Sequence, residues 1–343
     1  MANKHLAHDL RQMQSLPLEA KIIMTQQRIR QWYEYWDGMV YVSFSGGKDS
    51  TVLKHIVDGM YDDVPALFVN TGLEYPEIQK FAMSQKNVVT VRPEMRFDEV
   101  IRNYGYPVVS KMVANKVAGA KPENLRWRQL KGTEINPKTG EPSQFNIPKW
   151  GFLLDAPFNI SDKCCAVMKK APAKKYTQES GRKPMLGLMA DESNARYTAW
   201  LKTGCNAFDL KEPQSQPMAF WTEQDILRYL KKYDVEYCSV YGEIVPSSED
   251  EQIEGQLTTF DVLNDYEGTL LKTTGCKRTG CIFCMFGCHL EKQPNRFQIL
   301  KETHPKQYKY CIEGGQMVDG KLQPNKEGLG LGKVLDYIGV NYK

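Results

Sequence analysis

Two groups of residues in this chain have the types and spacing that could do chemistry. The first is Ser43-Phe44-Ser45-Gly46-Gly47-Lys48-Asp49-Ser50-Thr51. Two adjacent glycines among hydroxyl side chains let backbone N–H groups close on phosphate oxygens, and the helix expected to follow adds a favourable field at its N-terminus. The stretch reads as a phosphate cradle. The second group is thiols: of nine cysteines, six fall in two tight groups, Cys164-Cys165 and Cys276 to Cys288. Clustering of that kind in a reducing compartment points to metal or redox chemistry rather than disulfides.

The later group holds Cys276, Cys281, Cys284 and Cys288, followed by His289 as a substitute ligand. A Cys-x-x-Cys turn lets two thiolates converge on one centre, and two more nearby complete a tetrahedral set. Structural Zn²⁺ sites usually pair two well-separated knuckles, whereas closely strung cysteines interleaved with Ile282, Phe283, Met285 and Phe286 suit a shielded [4Fe-4S] cluster; Zn²⁺ stands as the alternative. The earlier pair lies in Ser161-Asp162-Lys163-Cys164-Cys165, which reads as a helix opening and is followed by Lys169, Lys170, Lys174 and Lys175. Thiols at a helix start beside lysines ionise more readily and serve as nucleophiles or ligands. Cys205, Cys238 and Cys311 read as ordinary core thiols.

These groups need elements to position them. Met39-Val40-Tyr41-Val42 is an apolar, β-branched strand leading into the cradle, and Val52, Leu53, Ile56 and Val57 recur beyond it at helical spacing. The four residues that a common P-loop places between its first glycine and Gly-Lys-Ser/Thr are missing. Further strands are expected at Ala66-Leu67-Phe68-Val69-Asn70, Val88-Val89-Thr90-Val91 and Met185 to Met189, with a helix from Pro76 to Lys86. Alternating strands and helices imply a doubly wound parallel sheet with ligands at its C-terminal strand ends, so loops at 45–51 and 70–75 should border one cleft. Ser193 caps a helix carrying Arg196, whose guanidinium can meet phosphate as a fork of fixed donors. Residues 8–37 read as two helices broken at Pro17, and Thr222 as an N-cap with Asp225 at its third position, leaving Trp221 a structural part.

The 343 residues divide on this reading into an N-terminal helical segment (1–38), a nucleotide-binding α/β domain (39–235, with an insertion over about 104–160) and a C-terminal Cys-rich module (236–343). A net charge of +4 is too weak to imply a nucleic-acid partner, but from Lys111 to Gly132 six basic residues face one acid, Glu123, with Trp127 among them. That segment suits a polyanion carried over the cleft. Residues 243–256 are acidic and polar and read as a linker. No run of about 18 apolar residues exists to span a bilayer, and the first residues are no signal peptide, so a cytoplasmic protein is expected, with no membrane partner.

Taken in order, the motifs resemble the phosphoadenosine phosphosulfate reductase-like branch of the PP-loop superfamily, over about residues 39–290. The resemblance rests on Ser45 to Ser50, Asn70 to Glu77, Lys163-Cys164-Cys165 with Lys170 and Pro172, Gly187 to Ser193 with Arg196, Trp221 to Asp225, and Cys281 to Cys284. It implies a sheet of about five parallel strands binding an adenine nucleotide. Its nucleotide contacts would come from Ser43, Ser45, Gly46, Gly47, Lys48, Asp49, Ser50, Thr51, Asn70, Thr71, Gly72 and Arg196, with Asp49 helping to hold Mg²⁺. In adenylyl-sulfate reductases paired cysteines and a later Cys-x-x-Cys bind a [4Fe-4S] cluster, a set matching Cys164, Cys165, Cys281 and Cys284 here. The chain is also similar to PP-loop enzymes of DNA phosphorothioation and tRNA thiolation, for which a local set maps onto Cys276, Cys281, Cys284 and Cys288 and leaves Cys164 or Cys165 to handle sulfur.

The Ser-Gly-Gly-Lys-Asp-Ser loop is the ATP-cleaving form, and the reductases' C-terminal Glu-Cys-Gly has no counterpart, the last cysteine being Cys311. The expected function is therefore an ATP-dependent adenylating sulfurtransferase using Lys48, Asp49, Cys164 and Cys165, acting on a nucleic acid or nucleotide with a sulfur-donor protein. The rivals are a sulfonucleotide reductase and a non-catalytic nucleotide sensor with a structural metal.

Overall fold

The computed structural model describes residues 4–247 and 269–343; of the expected acidic linker, everything from Ser248 on lies outside the described residues. The chain forms two compact units. The first comprises Met1–Asn70, Glu74–Val91 and Ala173–Thr279, and the second Thr71–Leu73, Arg92–Pro172 and Gly280–Lys343.

Helices α1 (Ala7–Gln14) and α2 (Leu18–Tyr35) come first, parted at Pro17, which suits the residue before a helix and cannot extend the preceding one. Strand β1 (Val40–Phe44), helix α3 (Lys48–Asp58), β2 (Ala66–Val69), α4 (Pro76–Ser84, with its proline in the first turn) and β3 (Val88–Val91) follow. The chain then contributes α5 (Phe97–Tyr104), β4 (Val108–Val109), α6 (Lys111–Ala118) and α7 (Leu125–Lys131) to the second unit. Helix α8 (Ala171–Ser180) leads back to β5 (Lys183–Leu186), α9 (Asn194–Thr203), β6 (Asn206–Ala207), β7 (Gln214–Ser215) and α10 (Glu223–Lys232).

The first unit is built on a six-stranded sheet of order β3-β2-β1-β5-β7-β6. Pairs β2–β3, β1–β2, β1–β5 and β5–β7 are parallel, which gives the expected five parallel strands. The sixth, β6, runs antiparallel to β7 at the edge; two residues each, these strands are too short to leave a hydrophobic pattern in the sequence. Val40, Tyr41, Val42 and Phe44 are all buried, as a central parallel strand covered on both faces requires. Connections run outward from β1 through β2 to β3 on one side and from β5 on the other, so strand order reverses beside β1. Ligands of open α/β sheets sit at such a switch point, and β1 ends at Phe44, directly before the glycine loop.

The N-terminal helices are part of this unit's core. Lys21 of α2 forms a buried ion pair with Asp225 of α10 at 2.7 Å, and the same carboxylate accepts the Thr222 backbone N–H at 2.7 Å, closing the expected cap. The Trp221 indole donates to Thr25 Oγ1 at 2.9 Å, a structural role as expected. In the second unit, β4 pairs in parallel with β8 (Met285–Phe286), Phe158 bridges to Leu322, and the Tyr106 hydroxyl donates to the Leu329 carbonyl at 2.8 Å. The segment over 104–160 and the C-terminal residues therefore share one core. No helix among the described residues is long and apolar enough to cross a membrane.

Candidate functional site

The glycine loop closes on itself at the start of α3. Ser45 N–H donates to Ser50 Oγ (3.1 Å), Gly47 N–H to Ser45 Oγ (3.3 Å), and the Ser50 and Thr51 hydroxyls donate to the Gly47 carbonyl at 2.9 and 3.0 Å. Gly46 has φ +72°, and a Cβ there would meet the Ile78 side chain at 3.0 Å and its carbonyl at 3.2 Å. The turn demands glycine on both counts. From the next strand end, Gly187 comes so close that a Cβ would lie 3.0 Å from the Asp49 carbonyl and 3.1 Å from Ser50 Cα. The position after β5 thus fixes the first turn of α3.

The charged groups of this loop are largely desolvated. Lys48 is buried; its Nζ lies 3.0 Å from Glu223 Oε1 and donates to the Lys277 carbonyl at 3.0 Å. Its backbone N–H donates to the Tyr241 hydroxyl at 3.2 Å, and that hydroxyl is hydrogen-bonded to Thr279 Oγ1 at 2.5 Å. Asp49 Oδ1 is buried with no hydrogen-bond partner. Burial raises the Asp49 pKa, offset in part by the Lys48 charge, with smaller influences from Glu223, Arg278 and Arg196. Arg196, which opens α9 behind the Ser193 cap, is ion-paired with Glu192, and its pKa is lowered by burial and by Arg278. Polar atoms in native interiors find partners, so an orphaned carboxylate oxygen beside a buried ammonium fits a divalent cation and the phosphates it would carry. Asn70 stands at the end of β2, buried, with its N–H on the Val91 carbonyl at 2.9 Å, and Ser43 is half-buried in β1.

Thiols gather in the second unit. Cys164 Sγ donates to Cys165 Sγ at 3.9 Å, and both interact electrostatically with Cys284, Cys164 with Cys281 as well. The shared proton raises the Cys164 pKa and lowers that of Cys165, which Lys111 and Lys169 lower further. Burial pushes Cys284 up against the opposing charge of Arg296, whose Nη1 donates to the Cys284 carbonyl at 3.0 Å. Cys288 borders Cys284; its pKa is pushed up to about 12 by burial, and its thiol donates to the Met285 carbonyl at 3.0 Å. Ile282, Phe283 and Met285 are buried around the turn. Among the described residues no three His, Cys, Asp or Glu side chains converge as a ready metal site. Four soft donors with nearby cations and an apolar surround nonetheless have the chemistry an iron–sulfur cluster requires.

Cys276 belongs to the first unit, where Tyr75 hydrogen-bonds it and Glu77 and Cys238 are its electrostatic neighbours. The set of Cys276, Cys281, Cys284 and Cys288 is thus divided between units, whereas Cys164, Cys165, Cys281 and Cys284 share one neighbourhood. Thr71 and Gly72 also fall in the second unit: Thr71 Oγ1 accepts from Leu73 N–H, and the Leu73 carbonyl accepts from Ile282 N–H at 2.8 Å, tying this turn to the Cys281–Cys284 turn. His289 stacks edge-on against Trp150 at 5.1 Å. Sequence reasoning missed Glu223, Tyr241, Arg278 and Thr279 as neighbours of the phosphate loop. Only the Thr279-Gly280 step ahead of Cys281 hinted at a bend there.

A strand–glycine loop–helix cradle at the switch point of a parallel sheet defines a nucleotide-binding protein of the PP-loop class. The phosphoadenosine phosphosulfate reductase domain model matches residues 39–108 and 88–286, and the chain belongs to that family. Two uncharacterised proteins of Methanocaldococcus jannaschii are similar: MJ0973, 31% identical over 101 residues (27% of this chain, 25% of the relative), and MJ0066, 25% identical over 217 residues (62% and 35%). The chain spans between a quarter and about a third of the length of these relatives. Among solved structures, phosphoadenylyl-sulfate reductase from Candida auris in a phosphate complex is 13% identical with a TM-score of 0.36, over 70% of this chain and 92% of that one. The U34-tRNA thiolase NcsA from Methanococcus maripaludis, with its [4Fe-4S] cluster, is 15% identical with a TM-score of 0.32, over 70% and 69%.

Proposed function

We propose that this chain is an ATP-dependent sulfurtransferase, which splits ATP into AMP and pyrophosphate and exchanges an acceptor's oxygen for sulfur. The observation that carries the reading is Asp49, a half-buried residue whose Oδ1 is buried and unpartnered, next to buried Lys48 in a loop of amides and hydroxyls. Phosphates would rest on Ser45, Gly46, Gly47, Lys48 and Ser50, with Arg196 as a second cation. Mg²⁺ held by Asp49 would supply further charge neutralisation. Lys48 and Arg196 then stabilise the departing pyrophosphate while the acceptor oxygen attacks the α-phosphorus, work done by positioning and electrostatics. A persulfide sulfur from a donor protein attacks the activated carbon: the C–S bond forms, the C–O bond breaks, and the electron pair leaves with AMP. A second thiol then cleaves the persulfide S–S bond, and an external dithiol reduces the resulting disulfide.

A [4Fe-4S] cluster would be held by Cys164, Cys165, Cys281 and Cys284, in preference to a set including Cys276; with a thiolate on each of its four irons it would order this thiol neighbourhood and add local charge, leaving the sulfur itself to the donor protein's persulfide. The acceptor we favour is a nucleic acid or nucleotide, on the strength of the basic segment from Lys111 to Gly132. The test is anaerobic pyrophosphate release from ATP and Mg²⁺ with bulk RNA as acceptor. Release that Lys48→Ala and Asp49→Asn abolish supports the reading; nucleotide binding without release, from a chain loaded with its metal, sinks it and leaves a nucleotide sensor.

A second reading has one observation in its favour: the grouped thiols are the ligand set that the family resemblance gives for adenylyl-sulfate reductases. Sulfite release from adenylyl sulfate or its 3′-phosphate, with no turnover of ATP, would establish it instead.

A further inference from the structure

The segment from Lys111 to Gly151 carries eight basic and three acidic residues, an excess of +5 in a chain whose whole net charge is +4. Its charges are not simply a solvated face. Lys116 Nζ lies 6.0 Å from the Phe145 ring centroid, Lys131 Nζ 5.9 Å from that of Trp127, and Lys149 Nζ 5.2 Å from that of Trp150. Three lysines thus sit with three aromatic rings on one small substructure of the second unit.

That substructure is well tied together. Helices α6 and α7 and the 3₁₀ turn Pro148–Asp155 pack on one another. Arg126 donates to the Asn115 carbonyl at 3.1 Å, Lys116 to the Phe145 carbonyl at 2.7 Å, and Ile147 N–H to the Gln129 carbonyl at 2.8 Å. Its rings are only partly covered: Phe145 is 56% exposed, Trp127 and Trp150 are half-buried, and Phe152 beside Trp150 is 41% exposed. Aromatic surface gathered in one place and rimmed by charge marks a contact surface, where a lone exposed ring would not. Each lysine–ring pair offers a π-face for a base and an ammonium within reach of that nucleotide's phosphate. This is the composition of a single-strand platform, where aromatics stack bases and cations follow the backbone. Duplexes bury their base faces and could use only the cations.

We propose that α6, α7 and the 148–155 turn form a binding surface for single-stranded nucleic acid, with bases stacked on Trp127, Phe145 and Trp150 and phosphates met by Lys116, Lys131 and Lys149. It rests on the sulfurtransferase reading only in naming that enzyme's acceptor. Helix α6 starts at Lys111, whose side chain hydrogen-bonds Cys165, so the surface runs into the thiol neighbourhood. A strand bound here is led toward sulfur chemistry.

The test is fluorescence anisotropy of the full chain with short fluorescein-labelled RNA and DNA oligonucleotides of mixed sequence, single-stranded and as matched duplexes, without ATP. Single strands are expected to bind at least about ten-fold more tightly than duplexes, and Trp127→Ala or Phe145→Ala to weaken single-strand binding by about ten-fold each. Phe145→Tyr, which keeps the ring, should restore it. In K116A/K131A/K149A the salt slope should drop by roughly 2, from about 0.7 per phosphate contact on a single strand. Equal binding of duplex, affinity indifferent to the aromatic substitutions, or no binding at all would each overturn the proposal. Since binding is read without ATP, these outcomes are independent of whether Asp49→Asn abolishes pyrophosphate release, which judges the sulfurtransferase reading separately.

Discussion

Lys48 Nζ lies 3.0 Å from Glu223 Oε1, an ion pair in which the lysine side chain is 5% exposed and the glutamate 41%. The ammonium assigned to phosphate is thereby held, pre-oriented, by a carboxylate that water can reach. Incoming phosphates must compete with that carboxylate. Glu223→Gln should therefore tighten binding of a non-hydrolysable ATP analogue by several-fold in calorimetry. Lys48→Ala should cut pyrophosphate release by about 100-fold or more, the usual cost of removing a preorganised charge from a reaction centre. Weaker analogue binding in Glu223→Gln would mean that the glutamate serves the nucleotide directly.

Asp49 gives a prediction about pH and metal. Burial raises its folded-state pKa above the unfolded value of 3.8, so the folded chain holds that proton more tightly than the unfolded one. Stability from this group is thus greatest at low pH and declines as pH rises from the unfolded pKa through the raised one. At neutral pH without Mg²⁺, Asp49→Asn should melt at a higher temperature than the parent protein. Added Mg²⁺ should raise the melting temperature of the parent and leave the variant unmoved, which differential scanning calorimetry would read directly.

Gly187 is the third case. A Cβ there meets backbone atoms of Asp49 and Ser50, which cannot turn aside as a side chain would. Gly187→Ala should cost about 1–3 kcal/mol in denaturant unfolding and displace the first turn of α3. ATP turnover should fall with it. An alanine variant of unchanged stability and activity would show that this close approach is not needed.

The thiols divide in a way that metal analysis can read. After anaerobic purification, Cys164→Ala, Cys281→Ala or Cys284→Ala should each lose most of the iron and sulfide, whereas Cys276→Ala should retain it. The opposite pattern, iron surviving a Cys164→Ala/Cys165→Ala double change and lost with Cys276, would return the cluster to the contiguous set.

Much of the first unit was legible because its signals are local. Val40-Tyr41-Val42 before the glycines, Pro17 between two helices, and Thr222 with Asp225 each declare an element within a few residues, and each is found. The glycine turn between β1 and α3 was legible for the same reason. What the sequence hid is long-range. Nothing in the string from Cys276 to Cys288 reveals that it passes from one compact unit to the other between Thr279 and Gly280. Spacing bounds how far apart neighbouring thiols can be, not which partners 100 residues away they face. Tyr241 and Thr279 reach the Lys48 amide region from stretches without periodicity or motif, so they could be found only by folding.

The most direct test of the central claim follows the α-phosphorus of ATP. The anaerobically purified chain, with Mg²⁺, RNA acceptor, a persulfide sulfur donor and a dithiol, is incubated with ATP labelled at that phosphorus, and the products are separated by chromatography. Label appearing in AMP, with equimolar pyrophosphate, and lost in Asp49→Asn, is the predicted result. Label in ADP, or intact ATP alongside sulfite released from adenylyl sulfate, would contradict it.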